Sequence, residues 1–374
     1  MFKLKDKNLL KSENYINGLW SDQGDEKLDI INPSTGKVIA KVSNGTEKEA
    51  KKAVSSAAKA FLSWSRLPAK ERAVFLMRWY NLILENINDL AAIMTLEQGK
   101  PLAEAIGEVK YGAEFISFYA EESKRSTGDI IPSISIDRRL MTYKQPVGVV
   151  GCITPWNFPN AMVTRKVAPA LAAGCTVVIK PDPGTPLSAL ALCELAKRAG
   201  IPPGVINVVV GNDCQGIGEV LTQHKDVAKF TFTGSTAVGK LLMAQCASTV
   251  KKVALELGGN APFIVFKDAD IDEAVSHCIA TKFRNCGQTC VCTNRIYLQR
   301  EVAEDFILKL STAINDLKVA DGFEKHSEIG PMINTNAVDK IESLLADAVS
   351  KGANLVIGGK RHELGGCFLQ PTLI

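Results

Sequence analysis

The chain has 374 residues, 46% of them hydrophobic, and carries 44 basic against 40 acidic residues for a net charge of +4. That length suits two domains rather than one core, and scattered cations exclude a nucleic-acid-binding surface built on massed positive charge. No apolar run approaches a membrane span, and ten cysteines behind a start without a signal-peptide core point to a reducing, cytoplasmic setting with mostly free thiols.

The elements follow in order. Residues 14–45 read as short strands, with Asn17-Gly18 as a hairpin turn and NPSTG as a second turn. Thr46 and Glu49 form a capping box for a helix to Trp64. Pro68 suits the first turn of the next helix, DLAAIMTLEQ stops at Gly99, and a longer helix runs from Pro101 to about Ser123. Residues 128–146 are β-rich and bounded by Gly and Pro, which predicts a hairpin arm that pairs with another chain. From 147 to 260, short apolar strands alternate with amphipathic helices closed by Gly174 and Gly200. This predicts an α/β fold with an open, mostly parallel, Rossmann-like sheet that binds ligands at its strand carboxyl ends. The alternation continues to a strand at NLVIGG, in a second α/β unit over 259–374. The cofactor unit is expected over 1–127 and 147–258. Cys152, Cys175, Cys193, Cys246 and Cys278 lie among aliphatic residues and read as buried packing.

Five stretches carry candidate chemistry. KFTFTGSTAVGK, 229–240, is a strand, turn and helix start whose Gly234, Ser235 and Gly239 leave backbone N–H groups to face a pyrophosphate; any strand-to-helix turn looks similar. VVIKPDPGTP places Lys180 at a strand end, as a ribose contact or a solvated lysine. In ITPWNFP, Asn157 is a rigid amide suited to an oxyanion, or a turn asparagine. In LELGG, Glu256 is a paired carboxylate or a desolvated general base. FRNCGQTCVCTNR, 283–295, holds Cys286, Cys290 and Cys292 as metal ligands, a redox pair or one nucleophile. The spacing lacks a second Cys or His pair, with His277 the nearest imidazole, so a thiolate nucleophile is the better reading and no metal is expected.

The order and spacing of ITPWNFP, KPDPGTP, FTGSTAVG, LELGG and FRNCGQTC resemble the aldehyde dehydrogenase superfamily, from about residue 14 to the last. The resemblance implies that Cys290 forms a thiohemiacetal, that hydride passes to a nicotinamide, and that Glu256 activates water against the thioester. It places Asn157 and the Cys290 N–H at the oxyanion, and Trp156, Lys180, Gly234, Ser235, Gly239 and Leu257 along the cofactor. AMVTRK, FRNCGQTCVCTNR and ELGGNAPFIVFKDADIDEAV look like succinate-semialdehyde dehydrogenase, acting in 4-aminobutanoate breakdown, with glutarate semialdehyde as an alternative substrate. In that family two arginines grip the distal carboxylate, and they match Arg165 and Arg284. Cys292 matches a cysteine that in some members forms a reversible disulfide with the nucleophile. Pro183 stands where NAD-preferring members carry a ribose-binding Glu, which favours NADP over NAD while supplying no cation. Members are homodimers or homotetramers whose chains continue past the equivalent of Ile374. The missing part would carry a glutamate at the nicotinamide ribose, a serine loop and strands for the arm of a neighbouring subunit. From this the 374 residues are expected to have little dehydrogenase activity, or to survive as a nucleotide-binding form.

Overall fold

A computed structural model describes residues 4–22 and 26–374. Strands β1 (Asn14–Ile16) and β2 (Leu19–Ser21) form the hairpin expected at Asn17-Gly18. Both turn residues take positive φ, 53° and 78°, as a tight two-residue turn requires. β3 (Lys27–Ile31) pairs antiparallel with β4 (Val38–Ser43), and Asn32 Oδ1 accepts the Ser34 N–H at 2.8 Å in the turn between them. Helix α1 (Glu47–Trp64) opens on the Thr46–Glu49 capping box, with both reciprocal bonds present. α2 (Ala69–Glu85) and α4 (Leu102–Ser123) follow Pro68 and Pro101, which sit just ahead of the first turn rather than inside it. α3 (Ile87–Gln98) ends at Gly99. Next, β5 (Ile130–Ile131) and β6 (Leu140–Met141) pair as a short exposed ribbon.

The main sheet follows. In chain order it is β7 (Val149–Ile153), α5 (Ala161–Ala172), β8 (Thr176–Lys180), α6 (Leu187–Arg198), β9 (Ile206–Val208), α7 (Cys214–Gln223), β10 (Val227–Thr233), α8 (Thr236–Ala247) and β11 (Lys252–Glu256). The spatial order is β11-β10-β7-β8-β9-β1-β2, parallel except for the hairpin at one edge. Alternate residues along a strand face opposite layers. Val177 and Ile179 enter the core under α2–α6 with Trp79, Val109 and Leu171. Val178 enters the core under α1, α7 and α8 with Val54, Leu221 and Phe230. The five cysteines read as packing are all buried. From β7 the chain winds outward through β8 and β9, then returns to the other flank of β7 as β10. The carboxyl ends of β7 and β10 therefore diverge around a crevice, the place where such sheets hold ligands.

Beyond it, β12 (Ala261–Val265) and β13 (Thr293–Leu298) form a separate parallel pair, with α9 (Ile271–Lys282), α10 (Arg300–Asn315) and α11 (Thr335–Ser350). Val265, Val275, Cys278, Phe306, Leu310 and Ile314 are their core. The strand expected at NLVIGG is absent as such: Ile357 makes a single antiparallel bridge to Leu373. Gly358 and Gly359 turn the chain there with φ of 77° and 82°, and a strand cannot continue through two such residues. Among the described residues, no helix is long and apolar enough to cross a membrane.

Candidate active site

Asn157 lies in the turn from β7 to α5, at the crevice. Its side-chain Nδ2 donates one hydrogen to the carbonyl of Gln288 at 2.9 Å. A primary amide has two, so one stays free for a ligand. Its backbone carbonyl accepts from Lys100 Nζ at 2.8 Å and from Asn285 Nδ2 at 3.0 Å. The candidate oxyanion turn and the cysteine loop are thus bonded directly to each other.

The three cysteines of that loop occupy different environments. Cys286 donates to the Gly330 carbonyl at 3.2 Å, and burial pushes its thiol up to about 12. A thiol so held is protonated at neutral pH and a poor nucleophile. Cys292 is 1% exposed and donates to the Lys282 carbonyl at 3.4 Å. Cys290 is half-buried. Among the described residues, no group of three or more His, Cys, Asp or Glu is arranged to hold a metal.

Glu256 ends β11, and the segment after it runs from the cofactor helix to the nucleophile loop. Leu257 packs on Gly239, where an added Cβ would stand 2.5 Å from the leucine Cδ2. A Cβ on Gly259 would stand 2.6 Å from the Cys290 carbonyl oxygen, so only glycine lets the two segments approach this closely. Glu256 itself is exposed, which corrects the expectation of a carboxylate either paired or desolvated within the strand. The reason is topological: β11 is the last strand of the sheet on that side and alternates exposed with half-buried residues.

The cofactor candidates line one side of the crevice. Ser235 caps α8, accepting the Val238 N–H at 3.3 Å, and the first turn of the helix is exposed. Its remaining backbone donors have no intrahelical acceptor and suit an anion. Gly234 is not one of them, because its N–H donates to the Glu256 carbonyl at 3.1 Å. Lys180 is 4% exposed, so it is not the solvated strand-end lysine of the alternative reading. Asp182 accepts the Gly184 N–H at 2.9 Å, and burial raises its carboxyl above the usual range. Beside Pro183 and Gly184 opens a cleft of about 370 Å³, shared with Lys27, Leu28, Asp29 and Asn212. Trp156 is half-buried next to Asn157. An exposed helix start, a buried lysine and a cleft free of an ionised ribose-binding glutamate fit a dinucleotide phosphate.

Arg165 and Arg284 each rest on aromatic rings. Arg165 donates to the Tyr111 hydroxyl at 2.5 Å, with its guanidinium 5.0 Å from the Phe115 ring centre. Arg284 lies 5.4 Å from the Phe158 ring centre. Among the described residues neither forms an ion pair with a carboxylate, and stacked guanidinium forks of this kind suit anion recognition.

Several residues of this region carry no motif of their own. Lys166 is buried on α5 and donates to Thr231 Oγ1 at 3.0 Å. Burial lowers its pKa to about 8, opposed by charge from Cys152 and Glu256. Gln98 and Glu104 reach the cysteine loop from α3 and α4, while Lys100 and Glu108 pair beneath the turn that carries Asn157. A Lys within an apolar helical stretch, in AMVTRKVAPAL, was the one available signal for Lys166.

The model of the aldehyde dehydrogenase family matches residues 20–374. The mitochondrial succinate-semialdehyde dehydrogenase of Arabidopsis thaliana is 57% identical over 373 residues, covering 100% of this chain and 70% of the relative. The 3-sulfolactaldehyde dehydrogenase of Pseudomonas putida is 56% identical over 376 residues, covering 100% of this chain and 77% of the relative. A crystal structure of an E. coli NADP dependent enzyme superposes with a TM-score of 0.98 at 54% identity, over 99% of this chain and 77% of that one. Motif order, sheet topology and near-full-length identity converge, and the chain belongs to the aldehyde dehydrogenase family.

Proposed function

We propose that the protein oxidises an aldehyde bearing a distal anion, with succinate semialdehyde as the substrate and NADP preferred over NAD. The observation that carries the anionic substrate is the pair of guanidiniums over aromatic rings, Arg165 and Arg284, with no carboxylate in salt-bridge contact among the described residues. Cys290 adds to the aldehyde carbon, and its proton leaves to solvent as the thiolate forms. The remaining N–H of Asn157 and the Cys290 backbone N–H hold the carbonyl oxygen as charge grows on it. Nicotinamide, when bound through Lys180 and the first turn of α8, supplies hydride acceptance. Glu256 takes a proton from water, which then cleaves the acyl–sulfur bond and frees Cys290. Pro183 stands where a ribose-binding glutamate would repel a 2′-phosphate, which supports NADP.

The relatives carry either a carboxylated or a sulfonated aldehyde in their names. Both substrates pair an aldehyde with a remote anion, so the rival readings differ in pocket length and anion geometry. The test is turnover of succinate semialdehyde, glutarate semialdehyde and 3-sulfolactaldehyde with each cofactor, beside Cys290→Ala. We expect the highest kcat/KM with succinate semialdehyde and NADP, an acyl adduct on the Cys290 peptide by mass spectrometry, and neither turnover nor adduct in the variant. Turnover by Cys290→Ala, or no adduct in the parent, sinks the proposal.

A further inference from the structure

Between the turn that carries Asn157 and the loop that carries Cys290 lies a buried polar network that the proposed chemistry does not use. At its base is Lys100, 1% exposed. Its ammonium has three protons and three partners: Glu108 Oε2 at 2.5 Å, the Asn157 carbonyl at 2.8 Å, and the Phe158 ring at 4.2 Å from its centre. The other oxygen of Glu108 accepts the N–H groups of Asn160 and Ala161 at 3.0 and 3.1 Å. Gln98, also buried, accepts the Lys100 N–H and donates to Asn285 Oδ1, both at 3.0 Å. Asn285 then donates through Nδ2 to two backbone carbonyls, Asn157 at 3.0 Å and Gln288 at 3.3 Å. One carbonyl belongs to the oxyanion turn and the other to the cysteine loop.

The loop holds this arrangement against its backbone preference. Asn285 and Cys286 take φ of 50° and 57°, a left-handed conformation that asparagine tolerates and that is disfavoured for Cys286. Strain of this kind persists where surrounding contacts enforce it. A buried ion pair such as Lys100–Glu108 is likewise a weak source of net stability. Both features are explained if the network fixes geometry. Gln288 is two residues before Cys290 and also accepts from the Asn157 side chain at 2.9 Å. The Asn285 amide therefore ties the donor of the oxyanion site to the strand of chain that ends in the nucleophile.

We propose that Asn285, seated by Gln98 and the Lys100–Glu108 pair, is a positioning residue that sets the separation of the Asn157 amide from the Cys290 thiol. It acts through Asn157 and touches no substrate. The inference rests on the roles proposed above for Cys290 and Asn157.

The test is Asn285→Gly, which accepts the left-handed backbone and deletes only the amide. We expect kcat to fall by about tenfold to a hundredfold, the loss associated with misplacing a reacting group by about an ångström. KM for aldehyde and cofactor should change by less than about twofold, since the binding groups are untouched. In a cycle with Asn157→Ala, the double variant should be no slower than Asn157→Ala alone, because Asn285 acts only through that amide. Losses that multiply in the double variant, or an unchanged kcat in Asn285→Gly, overturn the proposal. If Asn285→Gly fails to fold, Gln98→Met removes the seat of Asn285 and enters the same cycle with the same two outcomes. Turnover surviving Cys290→Ala instead removes the underlying mechanism, a result separate from any obtained at Asn285.

Discussion

Arg284 is exposed, and exposure alone would make it a solvated cation, so its substitution separates two accounts of the residue. Charge-assisted hydrogen bonds contribute about 1.5–3 kcal/mol, or roughly a tenfold to hundredfold change in affinity. Arg284→Met is therefore expected to raise KM for succinate semialdehyde by about that factor and to leave an uncharged aldehyde of similar size unaffected. Equal effects on both substrates would return Arg284 to the surface. Lys166 offers a test by pH. Burial lowers its pKa to about 8 from the ordinary 10.5, so the unfolded chain holds this proton more tightly than the native one. Stability from this group thus rises with pH between about 8 and 10.5. Lys166→Met lacks that rise, and its Tm relative to the parent should decline across the window in thermal scans. A constant Tm difference would show that Lys166 is not desolvated as described.

At the scale of elements, the ribbon of β5 and β6 pairs with no further strand among the described residues and exposes Ile134 and Ile136 fully, at 100% and 103%. Two such strands alone are marginal, and an exposed edge is a template for another chain. We propose that the ribbon joins copies of the protein. Ile134→Asp with Ile136→Asp should lower the mass seen by sedimentation velocity while Tm stays close to that of the parent; an unchanged mass counts against it. The elements also show which structure a sequence displays. The Asn17-Gly18 hairpin and the Thr46–Glu49 box were legible because each needs only neighbouring residues. NLVIGG misled because its aliphatic run has strand composition while Gly358 and Gly359 turn the backbone. The exposure of Glu256 was hidden for a different reason: burial of a strand depends on its place in the sheet, and nothing in LELGG reports that β11 lies at the flank.

For the whole molecule, strand–helix alternation was enough to read the α/β sheet, since periodicity is set by local geometry. The polar network was not readable, because its bonds join distant positions: Gln98 to Asn285 spans 187 residues and Asn157 to Asn285 spans 128. Contacts of such separation form late, after the chain entropy of closing those loops has been overcome. On refolding from urea, turnover should therefore return more slowly than helical ellipticity, and simultaneous recovery would show that the loop is organised with the helices. The same separation has an order during synthesis. Gln98, Lys100, Glu108 and Asn157 leave the ribosome well before Asn285 and Cys290, so the socket can be assembled before the residues it receives. On that order the reactive thiol emerges together with Asn285, the residue proposed to seat it, after the rest of the socket has been made.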